Sequence, residues 1–448
     1  MNLLAPQAAL AAGVIGALGL GLMRRPPSLL VRALVLLTPL AALGLLWGAV
    51  PGVLPPLVGV DMKGLGWQTV IYAGALPMAF LSSGDDVEAA LFLGAVLGMG
   101  LLAAAGNLPM LFVALEFMSL PAYLLVARAG TGERRLEAAV KYFFAGALAG
   151  AVFLLGLSLY YADTHSLAAV AVPVDARGQA GLALMAAAAL FKIGAVPLHW
   201  WLPDVYEAAS PEVSGFLSTA MKAAAVLFLV RVTSLAPNPG FAAVLPALGA
   251  LTALFGALLA LRQERLQRLL AYSSLAHAGL LILGVGAWQL LGRSPAGIAA
   301  LLIYLGAYAF MSNGAFVFLQ ASGVSTRAEL KGYASRRPLL AASFGLILFA
   351  LGGVPPTGGF VAKLLMLWLA VRAGLVWPVL IAALSALVSL VYYLGLVRDM
   401  AFEEAPAGDP PADGPASARL VVAVCALGAL LLGAAPFFLS GVLSGVWK

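Results

Sequence analysis

Four charged side chains interrupt long apolar stretches of this sequence: Glu116, Lys192, Lys222 and Lys363. A charge at the centre of a membrane helix costs about 2.5–3.5 kcal/mol on insertion scales. Ionisable residues at such depth usually mark ion or proton paths, although a lysine can also snorkel and a glutamate can form a structural ion pair. We therefore interpret all four as candidate proton-transfer groups, with Glu116 as the predicted carboxylate partner of Lys192.

Three further residues have two readings each. His277, in "LLAYSSLAHAGLLILG", could relay protons or be a hydrogen-bonded core histidine. Lys141 lies near the start of an apolar stretch, so it could join a polar path or place its ammonium at the interface. His199 follows a proline and could relay protons or cap a broken helix.

The elements that position these residues follow from composition. Of the 448 residues, 63% are hydrophobic and 10% are charged, and the mean hydropathy is +1.02. Such values exclude a soluble globular domain and predict an all-α polytopic membrane protein. Apolar runs of suitable length predict about fourteen transmembrane helices, here called spans 1–14. They cover residues 6–22, 28–49, 67–82, 87–104, 106–127, 136–161, 180–201, 213–235, 242–261, 268–287, 294–320, 338–374, 376–397 and 418–440.

The basic residues support this segmentation, because cytoplasmic loops are enriched in Lys and Arg. Loops and helix ends after odd-numbered spans hold sixteen basic residues, and those after even-numbered spans hold five. The sixteen are Arg24, Arg25, Arg32, Arg128, Arg134, Arg135, Lys141, Arg262, Arg265, Arg268, Arg327, Lys331, Arg336, Arg337, Arg398 and Arg419. The five are Lys63, Arg177, Arg231, Arg293 and Arg372. The asymmetry predicts that both termini lie on the non-cytoplasmic side.

Two proline-interrupted spans carry similar sequences. "FKIGAVP" at 191–197 in span 7 matches "FALGGVP" at 349–355 in span 12 at Phe, Gly, Val and Pro. An odd number of crossings separates them, so they run in opposite directions, as in inverted repeats with broken helices. The chain is then one transmembrane domain, 1–448, with two inverted five-helix repeats. Its parts are 1–86 (spans 1–3), 87–235 (spans 4–8), 242–400 (spans 9–13) and 401–448 (a loop and span 14).

The interruption of span 7 has a predicted local consequence. Pro197 has no amide hydrogen, so it cannot donate to the carbonyl of Ile193. A free carbonyl would then lie beside Lys192, and the two groups together could hold water.

Other function classes lack their usual signals. The single Cys425 allows no disulfide within the chain and no cysteine-held iron–sulfur or zinc site, and we predict no metal or cofactor in this chain. The sequence has neither a glycine-rich dinucleotide motif nor a P-loop. A net charge of +6 comes without a dense basic run, which indicates membrane topology and lipid contact rather than nucleic-acid binding.

Four stretches resemble the antiporter-like proton-pumping subunits of respiratory complex I. They are "LEFMSLPAYLL", "FKIGAVPLHWWLPDVYEAASPEVSGFLSTAMKAA", "RLLAYSSLAHAG" and "GGVPPTGGFVAK", and the resemblance extends from span 4 to span 13. It is strongest to the N-type members, because of "DVYEAASP", of Lys222 in "STAMK", and of Lys363 where M-type members have glutamate. Ala209 stands where the family more often has glycine.

The resemblance implies roles for individual residues. Glu116 would pair with Lys192, Lys222 would be the connecting group in span 8, and Lys363 would be the group in span 12 that serves the exit half-channel. His277 would lie on the polar axis of the family.

Lys141 would lie on the same polar axis as His277.

The chain would move protons across the bacterial inner membrane as one subunit of a proton-translocating NADH:quinone oxidoreductase. NADH, FMN, iron–sulfur clusters and quinone would be bound by partner subunits, with M-type and K/J-type membrane subunits and membrane lipids as neighbours. The alternatives are an Mrp-type cation/proton antiporter subunit, which resembles this family but usually has histidine in place of Lys222, and a non-pumping structural scaffold.

Overall fold

The chain is built almost entirely of helices. The computed structural model describes residues 4–23, 26–49, 52–54, 58–60, 62–128, 133–236, 239–405 and 414–434. Its helices are α1 Ala5–Gly21, α2 Ser28–Leu46, α3 Met62–Phe80, α4 Asp86–Ala103, α5 Leu108–Arg128, α6 Arg134–Thr164, α7 Ala176–Ile193, α8 Trp201–Ala208, α9 Pro211–Ser218, α10 Ala220–Thr233, α11 Pro239–Ala260, α12 Leu266–Leu290, α13 Pro295–Ser322, α14 Arg327–Leu330, α15 Tyr333–Arg336, α16 Pro338–Gly352, α17 Gly358–Arg372, α18 Val376–Phe402 and α19 Ala416–Ala434. The all-α class is confirmed.

Membrane-spanning character is evident in the helices themselves. Within the described ranges, ten helical segments are long and apolar enough to cross a bilayer, and two shorter apolar helices accompany them. Each of the predicted spans overlaps a helix of the structure. The chain is therefore a multi-pass membrane protein, and the count of fourteen crossings stays a prediction. Arg24, Arg25, Lys448 and much of the 401–448 segment lie outside the described residues.

A short hairpin between α2 and α3 was not predicted. Strand β1, Gly52–Leu54, pairs antiparallel with β2, Val58–Val60, and Val53 faces Gly59 in the register. Three residues per strand give too little alternation for a sequence pattern to reveal.

The helices divide into two compact units. The first contains residues 1–194 and 208–241, and the second contains 195–207 and 242–448. Within the first unit α6 packs closely on α7, where a Cβ at Gly156 would meet the carbonyl of Gly181 at 2.6 Å. Within the second, α13 packs on α19 and α16 on α18. The two inverted repeats predicted for 87–235 and 242–400 stay a prediction.

The two predicted helix breaks are present. Helix α7 ends at Ile193, and Gly194 continues in the left-handed conformation at φ 87°. Helix α16 ends at Gly352, and Gly353 adopts φ 85°. A left-handed residue suits glycine because it has no Cβ to clash with the backbone.

A third break was not predicted, because the apolar run predicts one continuous helix over 213–235. Helices α9 and α10 are separated at Thr219, whose backbone has φ −111° and ψ −81°. The Thr219 hydroxyl lies 2.8 Å from the carbonyl of Gly215 and 3.2 Å from that of Gly74. Threonine is common enough inside helices that its presence alone does not predict a break.

Candidate functional site

Lys192 lies in the last turn of α7, in the interior of the first unit. Its side chain is only 7% exposed, and its ammonium donates to Ser119 Oγ at 2.8 Å and to Tyr123 Oη at 2.7 Å. The Nζ atom also lies 5.2 Å from the centroid of the Tyr123 ring, within the range of a cation–π contact. Two hydroxyls and an aromatic face of α5 thus hold this buried charge.

Glu116 lies on the same face of α5 as these hydroxyls. Ser119 and Tyr123 follow it by three and seven residues, a helical spacing that aligns side chains along one stripe. Glu116 Oε1 is buried, and within the described ranges it has no hydrogen-bond partner. No ion pair joins Glu116 to Lys192 in this part of the structure. Glu116 and Lys192 therefore lie at one site, but the lysine ammonium hydrogen-bonds to hydroxyl groups and not to the glutamate.

Two glycines of α6 make room for this site. A Cβ at Gly150 would lie 3.0 Å from Glu116 Oε1, and a Cβ at Gly146 would clash with the Tyr123 hydroxyl. The Tyr123 ring packs edge-on against Tyr142, with centroids 4.5 Å apart. These contacts were not predicted, although the polar residues of "LEFMSLPAYLL" already show the three- and seven-residue spacing from the glutamate.

Lys222 is buried one turn beyond the Thr219 break. Its side chain is 2% exposed, and it lies in the first turn of α10. Lys222 thus lies just after a helix break, whereas Lys192 lies just before one.

Lys363 lies in α17 of the second unit, after the break that follows α16. Its ammonium donates to the carbonyls of Leu351 at 2.7 Å and Gly352 at 3.0 Å, and to Ser389 Oγ at 3.4 Å. These carbonyls end α16, where the helix dipole is negative and favours a cation. A lysine beside carbonyls freed by a helix break was expected at Lys192, and the structure shows it at Lys363 instead.

His277 is embedded among hydroxyl groups of the second unit. Its Nδ1 atom lies 2.7 Å from Tyr304 Oη, and its ring centroid is 4.8 Å from that of Tyr308. One turn earlier on α12, Ser273 hydrogen-bonds to Tyr393. Both readings of the histidine, relay and core residue, fit these contacts.

Lys141 differs from the other candidates. Its side chain is 40% exposed and pairs with Glu137 one turn earlier on α6, at 2.7 Å. The structure does not bring it into the buried set. His199 packs its ring edge-on against Phe255, with centroids 5.0 Å apart.

Comparison with known proteins identifies the family. Residues 105–389 match the family described as NADH:quinone oxidoreductase/Mrp antiporter, transmembrane. The NADH-quinone oxidoreductase subunit N of Mycobacterium tuberculosis is 37% identical over 362 residues, covering 76% of this chain and 67% of the relative.

Solved structures agree with this assignment. A chain of respiratory complex I from Thermus thermophilus with bound aureothin superposes with a TM-score of 0.85 at 35% identity, covering 96% of this chain and 97% of that one. A chain of the Mrp complex from a Dietzia species gives 0.84 at 21% identity, covering 97% and 95%, which shows a shared fold alone. The resemblance found in the motifs is confirmed, and the chain belongs to the NADH:quinone oxidoreductase/Mrp antiporter family of membrane proteins.

Proposed function

We propose that this chain translocates protons across the membrane as the N-type subunit of an NADH:quinone oxidoreductase. The observation that carries the proposal is the burial of three lysines, Lys192, Lys222 and Lys363, each at most 7% exposed, next to breaks in helices of a membrane protein. Relatives with 37% identity bear the name of that subunit.

The contacts of the lysines fit a proton-transfer role. In the described part of the chain, Lys192 and Lys363 donate to hydroxyls and carbonyls, which carry no formal charge. A neutral shell leaves the proton on each amine responsive to charges that move nearby. Two unit charges about 8 Å apart interact by about 2 kcal/mol at an effective dielectric constant of ~20.

That energy is comparable with the work of pumping. Moving one charge against 100 mV of membrane potential requires about 2.3 kcal/mol. Displacement of one buried charge can therefore supply a large part of the work of transferring one proton. Glu116, whose Oε1 is buried beside the hydroxyls that hold Lys192, is the carboxylate placed to act in this way.

The redox chemistry belongs to partner subunits in this proposal. NADH, FMN, iron–sulfur clusters and quinone would be bound there, and the chain would lie in the inner membrane beside M-type and K/J-type subunits with both termini non-cytoplasmic. An Mrp-type antiporter subunit has the same fold, yet the solved Mrp chain shares 21% identity with this one while the complex I chain shares 35%. This difference favours the complex I role.

The test replaces one buried lysine. The complex containing this chain would be reconstituted in vesicles, and proton uptake would be followed with a pH-sensitive dye during NADH oxidation by quinone. Lys363→Met should reduce proton uptake severely while leaving NADH oxidation by an artificial acceptor intact, because the electron carriers lie elsewhere. Lys331→Met is the matched control, since that lysine is 46% exposed and pairs with Glu403 at 3.7 Å. An equal loss of the acceptor reaction in assembled complex would indicate an assembly role.

A further inference from the structure

Three buried polar side chains of the first unit meet beside Gly100 of α4. Gln7 of α1 and Gln68 of α3 are 4% and 1% exposed, and Tyr72, one turn after Gln68, is 0% exposed. Gln7 Nε2 donates to Gln68 Oε1 at 3.2 Å and to the carbonyl of Gly100 at 3.3 Å. A Cβ at Gly100 would clash with the Tyr72 hydroxyl, so this hydroxyl also lies against α4. Gln7, Gln68 and Tyr72 form what we call the glutamine cluster.

Each side chain of the glutamine cluster has one buried polar atom without a protein partner in the described part of the chain. The three atoms are Gln7 Oε1, Gln68 Nε2 and Tyr72 Oη. Together they offer one acceptor, one donor and one hydroxyl that can act as either.

Exchanging the oxygen and nitrogen of either amide does not give these atoms partners. The Gly100 carbonyl can only accept, so the atom of Gln7 that faces it must be the amide nitrogen. The atom of Gln68 that faces this nitrogen must then be the amide oxygen. The remaining oxygen of Gln7 and the remaining nitrogen of Gln68 therefore need a partner from outside the cluster.

The unpaired atoms match the hydrogen-bonding capacity of water. Buried polar groups in proteins are nearly always hydrogen-bonded, and a buried water typically makes about three hydrogen bonds to such groups. Amides and a phenol carry no formal charge, which disfavours an ion as the occupant of so buried a place. Unpaired donors and acceptors equally disfavour an apolar molecule.

An apolar layer separates the glutamine cluster from the nearby helix ends. Leu4 and Leu65 pack on Ala104, which is 1% exposed. Each of the three lies one helical turn closer to the end of its helix than the cluster residue or glycine of the same helix. The carbonyl of Ala104 also accepts from the amide of Gly59 in β2 at 3.0 Å. This layer excludes bulk solvent, so water at the cluster would be bound water.

We propose that the glutamine cluster binds an ordered internal water molecule between α1, α3 and α4. The water accepts a hydrogen bond from Gln68 Nε2, donates one to Gln7 Oε1 and hydrogen-bonds to the Tyr72 hydroxyl. The proposal does not depend on proton pumping, because none of the buried lysines belongs to the cluster.

The experiment is radiolytic hydroxyl-radical labelling of the isolated complex that contains this chain. Short X-ray pulses produce hydroxyl radicals from water, and a bound internal water labels the side chains around it. Mass spectrometry would quantify the oxygen added to Tyr72 and to Phe92. Phe92 is the internal control, since it is a 1% exposed aromatic residue of α4 that packs on Phe216 with ring centroids 5.1 Å apart.

The test variant combines Gln7→Leu with Gln68→Leu, which removes two of the three partners of the water. The matched control variant is Thr69→Val, a polar-to-apolar change at an exposed position of α3. In the wild type we expect labelling of Tyr72 and only background labelling of Phe92. The leucine pair should reduce the labelling of Tyr72 on the order of tenfold, because a buried water needs two to four polar partners. Thr69→Val should leave it unchanged.

Three results would overturn the proposal. They are background labelling of Tyr72 in the wild type, wild-type labelling of Tyr72 in the leucine pair, and an equal loss of labelling in Thr69→Val. The comparison of Tyr72 with Phe92 uses the wild type, so it decides the question even if the leucine pair fails to assemble.

Discussion

The buried ammonium groups of Lys192 and Lys363 are stabilised by different kinds of hydrogen-bond acceptor. Lys192 uses the hydroxyls of Ser119 and Tyr123, and Lys363 uses carbonyls at the end of α16. A hydroxyl can both donate and accept, so it can pass a proton on, whereas a backbone carbonyl can only accept. The site in the first unit is therefore better suited to exchange with a carboxylate on the same helix face, and Glu116 is that carboxylate.

This argument predicts that Glu116 and Lys192 act as a coupled pair. Glu116→Gln and Lys192→Met should each impair proton pumping strongly, because each leaves one buried charge without its counterpart. The double variant should be much less than additive, with a coupling of about 0.5–3 kcal/mol as found for interacting neighbours. Pumping and assembly would be measured in all variants at matched expression.

The matched control for this cycle is the exposed pair of Lys331 and Glu403. Lys331→Met and Glu403→Gln should each have a small effect, and their effects should add. Fully additive losses at Glu116 and Lys192 would show that these side chains act independently, and the paired mechanism would have to be abandoned.

At the scale of the element, the break after α16 positions Lys363. Gly353 has φ 85°, and a Cβ there would lie 3.0 Å from Lys363 Cδ. Gly353→Ala should therefore destabilise the protein by about 1–2 kcal/mol through backbone strain and also reduce pumping by displacing the lysine. Thermal unfolding and proton uptake of the reconstituted complex would be measured together.

Gly345→Ala is the control on the same helix. Its added Cβ would make only an ordinary contact, 3.6 Å from Met400 Cε, and alanine favours a helix interior by about 0.5–1 kcal/mol over glycine. A wild-type level of pumping in Gly353→Ala would mean that the geometry of the break does not govern Lys363.

The first turn of α4 gives a prediction about pH. Burial alone would raise the pKa of Asp85, but the hydrogen bonds from Arg128 and from the Glu88 amide, with the charge of Arg128, hold it below its ordinary value. A carboxyl group whose pKa is lower in the folded state stabilises the protein at pH values above its unfolded-state pKa of about 4. This stabilisation is lost as the pH falls through the folded-state pKa. The stability contributed by the Asp85 charge should therefore be present at pH 7 and vanish in acid.

Asp85→Ala should cost about 1 kcal/mol at pH 7, mainly through the lost helix cap, because the Arg128 pair is half-exposed and contributes little. Asp85→Asn retains a capping oxygen and should cost less. Unfolding temperatures would be compared from pH 7 down to the lowest pH at which the wild type stays folded. A penalty for Asp85→Ala that does not shrink at low pH would contradict the assignment.

Some helix breaks of this fold can be predicted from the sequence and others cannot, for physical reasons. The breaks in spans 7 and 12 were predictable because proline removes a donor and glycine permits positive φ. The break at Thr219 was not, since it depends on a tertiary contact with the carbonyl of Gly74. The apolar sequences around Lys192, Lys222 and Lys363 predicted their burial. The hydrogen-bond partners Tyr123 of Lys192 and Ser389 of Lys363 lie on other helices, and no local sequence pattern links them to the lysines.

At the scale of the whole molecule, the buried lysines of the two units have different chemical surroundings. In the first, Lys192 lies near a carboxylate, and a second buried lysine, Lys222, begins α10. In the second, Lys363 and His277 are surrounded by carbonyls and hydroxyls. In the predicted inverted arrangement, the carboxylate near Lys192 would give proton transfer a direction.

The inverted arrangement depends on the number of membrane crossings, which the topology of the loops tests. The excess of basic residues after odd-numbered spans, sixteen against five, predicts that reporter fusions within 128–135 and 327–337 report the cytoplasm. A fusion within 291–295, after an even-numbered span, is the control and should report the opposite side. The first two loops follow spans 5 and 11, one in each predicted repeat, so their shared location tests both halves at once. Either loop on the outside would overturn the count of fourteen and, with it, the inverted relation between the breaks after α7 and α16.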